Sequence, residues 1–330
     1  MANEYGWKSL NSQGQDSIYK EMNKVISGSG SSSGNSTDNT TDILAALVSA
    51  SIASAQKAER AKQAAALAND TTRPGSLNNT EGIIITGTTD KDTLNNYARN
   101  VTMFSGLGND TLYNSAAGTS VLINAGADND SLINYGKYST VVAGSGNDKV
   151  YNYGRYSTIF GNLGNDTIQN GKNHYTGDTT SDYDDVLIYS GIGDDFIKNY
   201  GWSVTVKTGA GNDTIATYDK SKIYSGSGND SIYLGSFGYN SFVNAGSGDD
   251  TIRNYALGIS TLIGGNGNNY IYNNTYFGAV MISGSGNDTI YNDKQSSSIL
   301  DKVRPTVSSG AGNDSINFNG TDTYFQWRWR

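Results

Sequence analysis

The chain has 330 residues, with 41 Gly, 23 Tyr, 2 Pro, no Cys and one His, and a formal charge of −8 at pH 7. Without Cys there is no disulfide scaffold and no thiol chemistry, and a single His leaves no Ser–His–Asp or Cys–His set to assemble. The acidic balance, with no basic stripe, argues against a nucleic-acid partner.

The first 82 residues differ in composition from the rest. Met1–Lys20 lacks a cationic start followed by an apolar run, so no Sec signal peptide is expected. Within the short N-terminal segment 1–26, residues 16–26 can form a small amphipathic helix with Ile18, Met22 and Val25 on one face. A Gly/Ser linker follows at 27–41. Residues 42–69 read as the one long α-helix: Thr41 or Asp42 caps it, Ala dominates it, and Leu44, Val48, Ile52 and Ala55 make one stripe. Ile43–Ala55 is too short and too Ser-rich to span a bilayer. This helix either caps the following domain or packs on another chain. Residues 70–82 are a second linker, in which Pro74 stops helical continuation.

From about residue 83 to 319 one motif returns at a near-fixed period. It reads SGLGND at Ser105–Asp110, AGSGND at Ala143–Asp148, TGAGND at Thr208–Asp213 and SGSGND at Ser225–Asp230. Its closing position falls at residues 92, 110, 130, 148, 166, 195, 213, 230, 250, 269, 288 and 314. Eleven of these twelve are Asp; the exception is Asn269. Gaps of mostly 17–20 residues mean stacked coils of a solenoid. Two residues after each acid stands an apolar residue, from Leu94 and Leu112 to Ile290 and Ile316, flanked by polar ones, which predicts a short strand with one buried face. A second strand is expected in most units, at Val121–Ile123, Val141–Val142, Ile159–Phe160, Val204–Val206, Phe242–Val243 and Leu262–Ile263. Four residues after the acid, Asn recurs in nine copies, among them Asn96, Asn134, Asn152 and Asn199. Stacked Asn amides can hydrogen-bond along such a helix.

SGSGNDTIY at Ser283–Tyr291 resembles the RTX, or haemolysin-type calcium-binding, nonapeptide, with Ser in place of its first Gly. The resemblance spans over two thirds of the chain. It implies an all-β, right-handed parallel β-roll or β-helix of about twelve coils, here preceded by an N-terminal α-helix. It departs from the family in the other half of each coil, where NYGKYST (Asn134–Thr140) and NYGRYST (Asn152–Thr158) carry no regular acid. The expected solenoid therefore bears metal along one edge only.

The resemblance implies Ca²⁺ as the ion, a hard cation that takes six to eight oxygens. The expected ligands are Asp92, Asp110, Asp130, Asp148, Asp166, Asp195, Asp213, Asp230, Asp250, Asp288 and Asp314, joined by carbonyls that the glycines expose. Bare carboxylates one coil apart would repel by ~3.5 kcal/mol per neighbouring pair at an effective dielectric of about 20, so folding is expected to need the ion. No catalytic residues, phosphate loop or zinc spacing are found.

Two insertions interrupt the repeat. Residues 171–185 carry His174, Asp178, Asp182, Asp184 and Asp185. A paired-carboxylate site for polysaccharide cleavage is the weaker reading of them, beside a turn-rich loop with an extra calcium. Residues 294–307 read as a longer turn. The tail 320–330 ends in YFQWRWR, able to cover the last coil or dock on a neighbour. Tyr113, Tyr151, Tyr233, Tyr272 and Tyr291 point outward beside Thr and Ser, a face suited to glycans or another protein. The expected function is a secreted or cell-surface calcium-binding module with a structural or adhesive role and no enzymatic activity, leaving by a route without a Sec signal. Its alternative is a calcium-dependent filament subunit joined through the N-terminal helix or the C-terminal tail.

Overall fold

A computed structural model of the protein describes residues 84–172, 184–237, 239–275, 278–293 and 305–319. The expected N-terminal helix, the C-terminal tail and most of both insertions lie outside these residues. So do His174, Asp178 and Asp182.

The described residues form 24 strands in two parallel sheets of twelve. Odd-numbered strands run from β1 (Ile84–Thr86) to β23 (Thr306–Ser308), and even-numbered ones from β2 (Thr93–Asn96) to β24 (Ser315–Phe318). Each strand pairs with the strand two places on, so one odd and one even strand make a coil, and there are twelve coils. The architecture is the all-β parallel solenoid that the repeat predicted.

Side-chain alternation explains the core. In the even sheet Leu112, Leu132, Val150, Ile168, Ile197 and Ile215 lie directly above one another in register, each fully buried. In the odd sheet Met103, Ile123, Val141, Ile159, Ile188 and Val206 do the same. The two columns belong to one apolar core between the sheets. No single coil could bury its pair of apolar residues alone, so stacking supplies the fold. Leu94, Val307 and Ile316, in the end coils, are only partly buried. Register also survives both insertions: Ile159 pairs with Ile188 and Ile282 with Ser308.

The odd strands are longer than the sequence suggested. β7 runs Thr140–Ser145 and β13 runs Val204–Ala210, so both continue through the first glycine of the motif. Gly144, at φ 126°, pairs with Gly126. A Cβ there would collide with the Gly126 carbonyl oxygen. This glycine is therefore a strand residue demanded by close backbone approach, and the turn proper is only Gly-Asn-Asp.

The opposite edge has its own device. Asn96, Asn114, Asn134, Asn152, Asn170 and Asn199 are fully buried, and each Nδ2 donates to the next Oδ1 at 2.7–2.9 Å. The ladder then changes partner. Asn199 donates to Ser221 Oγ, which bonds Thr217 Oγ1. Leu234 fills the next place, and Asn254, Asn273 and Asn292 start a second run.

Candidate metal centre

The turn Gly-Asn-Asp joins each odd strand to the following even strand, as Gly146–Asp148 joins β7 to β8 (Lys149–Asn152). Its two polar residues face opposite ways. The outer one is exposed, and its side-chain oxygen accepts the N–H of the matching residue one coil on. These bonds run from Asn109 through Asn129, Asn147, Asn165 and Asp194 to Asn313 at 2.6–2.9 Å. Sequence reasoning missed this ladder, although the Asn or Asp before the closing position in every copy but the first, which has Lys91, was its signal.

The inner residue is the acid. Each acid's N–H donates to Oδ1 of the residue at the same position one coil on, unbroken from Asp92 to Asp314, at 2.7–3.1 Å. The structure thus brings all eleven expected acids, with Asn269 among them, into one column. They are not equivalent, however. Asp110, Asp130, Asp148, Asp166, Asp195, Asp213, Asp230, Asp250 and Asp288 are 1–3 % exposed. In each of these nine, Oδ2 is buried with no hydrogen-bond partner. At Asp92, in the first coil, Oδ2 instead accepts the N–H and the hydroxyl of Thr88.

Burial is the main consequence for charge. It pushes Asp130 and Asp166 up to about 8, Asp195, Asp230 and Asp250 up to about 7, and Asp148 and Asp213 up to about 6. Asp110 is raised for the same reason. Backbone N–H donors lower all of these, and neighbouring acids raise several of them, but both effects are smaller than desolvation. Mutual repulsion, the cause argued from spacing, is thus secondary to desolvation. Hydroxyls stand beside some carboxylates, yet their protons go elsewhere: Ser190 Oγ donates to the Thr208 carbonyl and Thr208 Oγ1 to the Ser225 carbonyl.

An ion fits this arrangement. A bare, buried, unpaired carboxylate oxygen is costly unless a cation meets it. At Gly161 an added Cβ would strike both Asp166 Oδ2 and the Ser190 carbonyl oxygen, so two oxygens from adjacent coils border one small space. Among the described residues no three His, Cys, Asp or Glu side chains converge on a point. The place beside Gly161 therefore offers one carboxylate and a main-chain oxygen, a hard all-oxygen set that suits calcium and not zinc.

The aromatic residues form a second feature. Tyr97, Tyr113, Tyr135 and Tyr153 zigzag along the outside of the even sheet with ring centroids 4.8–5.9 Å apart. Tyr200, Tyr218, Tyr233, Tyr255, Tyr272 and Tyr291 continue the pattern at 4.8–6.0 Å. Lys172 and Lys198 place their ammonium groups over the rings at the break, Tyr153 and Tyr200. The sequence picked out Tyr113, Tyr151, Tyr233, Tyr272 and Tyr291. It missed the Tyr two places further along other coils, Tyr97, Tyr135, Tyr153, Tyr200, Tyr218 and Tyr255, whose rings join those of Tyr113, Tyr233, Tyr272 and Tyr291 into the two runs.

The insertion residues Asp184 and Asp185 serve a turn. Asp184 Oδ1 accepts the Trp202 N–H at 2.8 Å, and Asp185 N–H donates to the Trp202 carbonyl.

A family model described as RTX calcium-binding nonapeptide repeat (4 copies) matches residues 157–174, 221–238 and 257–274. Each match takes in the closing position of one coil: Asp166, Asp230 and Asn269. No curated protein and no solved structure matches the chain. With the acid column and the two parallel sheets, these matches are consistent with an RTX-type β-roll: the described residues form a parallel β-solenoid, and three stretches of the chain match RTX calcium-binding repeats.

Proposed function

We propose that the chain is a secreted or cell-surface structural module that folds as Ca²⁺ fills its acid column. The observation that carries this reading is the row of nine buried, unpartnered Oδ2 atoms. Calcium, when bound, supplies positive charge between coils. The protein's part is to aim one carboxylate inward per coil, to fix its other oxygen with a backbone N–H, and to exclude water. The test is far-UV circular dichroism of the full chain at pH 8 in excess chelator, followed by calcium titration. β-structure should appear only on titration; a full β signal with chelator present refutes the reading.

The module's role is structural or adhesive rather than hydrolytic, with the tyrosine array as the face offered to a glycan or a protein surface. Asp184 of the first insertion supports this, since one of its carboxylate oxygens accepts a main-chain N–H. Polysaccharide turnover that Asp184→Ala or Asp185→Ala abolished would overturn it.

The filament reading has one observation in its favour. Among the described residues β1, β2, β23 and β24 are the edge strands of their sheets, and edges of this kind template pairing with another chain. Head-to-tail contact would be heterologous and open-ended. Sedimentation of the full chain with calcium separates the two: growing polymers support the filament, and a monomer at all concentrations removes it.

A further inference from the structure

Asn269 stands in the acid column where the other eleven coils have Asp, and it is 2 % exposed. Its Oδ1 behaves as theirs do, accepting the Asp250 N–H at 3.0 Å. Its other atom does not. Nδ2 donates to the Gly267 carbonyl at 3.0 Å and to the Ser283 carbonyl, one coil on, at 3.3 Å. In the nine buried acid coils that place holds a partnerless carboxylate oxygen. An oxygen facing two carbonyl oxygens has nothing to bind unless a cation lies among them; an amide N–H₂ supplies the missing positive ends itself. Gly264 marks the same spot, since an added Cβ there would touch the Ser283 carbonyl oxygen and the Asn269 side chain.

We propose that Asn269 is a metal-free joint: its side-chain amide takes the place of the calcium ion between its coil and the next. This rests on the calcium reading of the other coils and deepens it. The column is divided into eight cation positions, from Asp110 to Asp250, and one beyond the joint, at Asp288. Two ends are closed by other means. Thr88 occupies Oδ2 of Asp92, and Asp314 has no further coil above it among the described residues. Among the described residues the column thus carries eleven acids but nine cation positions. The contact across the joint, from β20 (Tyr270–Asn273) to β22 (Thr289–Asn292) and from β19 (Ser260–Asn266) to β21 (Ala279–Ser285), has the same parallel register as the contact on its other side.

Native mass spectrometry of the full chain in calcium reads the number of ions directly. The wild type should bind at least nine, the column's share, and its count is the reference for the variants. Asn269→Asp should bind one more, because it restores the bare oxygen. Asp230→Asn should bind one fewer and keep the β signal in calcium, because the amide replaces the ion it displaces. Asn269→Asp with an unchanged count overturns the joint, as does loss of the fold by that variant in saturating calcium. Asp230→Asn that keeps its ion also overturns it. A wild type that binds no calcium would instead defeat the calcium reading itself, so the two failures are told apart.

Discussion

Replacing Asn152 with Ala tests how much the acid-free edge holds the solenoid together. Asn152 is fully buried and makes four contacts. Nδ2 donates to Asn170 Oδ1 at 2.8 Å and to the Gly154 carbonyl at 3.0 Å. Oδ1 accepts Asn134 Nδ2 at 2.7 Å and the Gly154 N–H at 3.4 Å. Truncation leaves Asn170 Oδ1 without this donor. Asn134 Nδ2 keeps its bond to the Gly136 carbonyl at 3.0 Å, so its loss is partial. An orphaned buried polar group costs about 1–3 kcal/mol, and two full losses with two partial ones sum to roughly 3–5 kcal/mol. Urea unfolding in saturating calcium, followed by circular dichroism, reads the loss. Calcium must be saturating so that metal binding does not mask it. A change below about 1 kcal/mol would refute the ladder as a structural element and leave the acid edge as the sole clamp. Asn152→Leu is the informative companion, because coil eight already carries Leu234 at this place. It should cost less than Asn152→Ala, since apolar volume offsets part of the loss.

Other outcomes follow from the same geometry. In the folded, ion-free chain Asp130, Asp148, Asp166, Asp195, Asp213, Asp230 and Asp250 have pKa values raised to about 6–8 from 3.8. Their contribution to stability is therefore full below the unfolded value and is lost as pH rises through 6–8. Ion-free protein should hold more β-structure near pH 5 than at pH 8 by circular dichroism, and calcium binding at pH 7 should release protons in calorimetry; β content flat across that window contradicts the assignment. Changing Asp148, Asp213 and Asp230 to Ala together should raise the calcium midpoint of folding, and an unmoved midpoint would count against the acid column as the ion's site. Gly228→Ala, at φ 119° with the Gly211 carbonyl oxygen where the Cβ would go, should destabilise by roughly 1–3 kcal/mol in the same urea assay. Ile215→Ala, in the middle of the even sheet's core column, should cost about 2–5 kcal/mol.

What the sequence disclosed was whatever the repeat makes local. The acid column, the apolar residue two places on and the buried Asn each sit at a fixed offset from one motif, and register converts a fixed offset into a column. What it hid depends on neighbours in space. Gly144 looks like a turn residue until the Gly126 carbonyl is seen against it. The tyrosines at two offsets look like separate sets until the coils stack and their rings interleave. Spacing alone gave the repulsion between acids, but only burial shows that desolvation outweighs it. Asn269 stands out in the sequence only as the one closing position without an acid, because its amide donors have meaning only once Gly267 and Ser283 are in place around it.

The two ladders of the metal edge explain why one turn can serve both as scaffold and as ion site. In the outer ladder the side chain of each coil accepts an N–H from the coil after it, whereas in the inner ladder it accepts from the coil before it. The two run in opposite senses, so each turn is tied both up and down the stack by bonds that need no ion. The outer ladder is neutral at Asn147 and Asn165 and exposed to water, and so costs little to form. The inner ladder uses only one oxygen of each carboxylate, and the backbone N–H that holds it fixes where the other points. The metal-free bonds therefore set the position of the bare oxygen without satisfying it. A turn made with Asn at the inner place, as in the tenth coil, completes itself; a turn made with Asp is left with an unmet charge in the interior. On the proposed reading, the choice between those two residues, coil by coil, decides which contacts between coils depend on calcium.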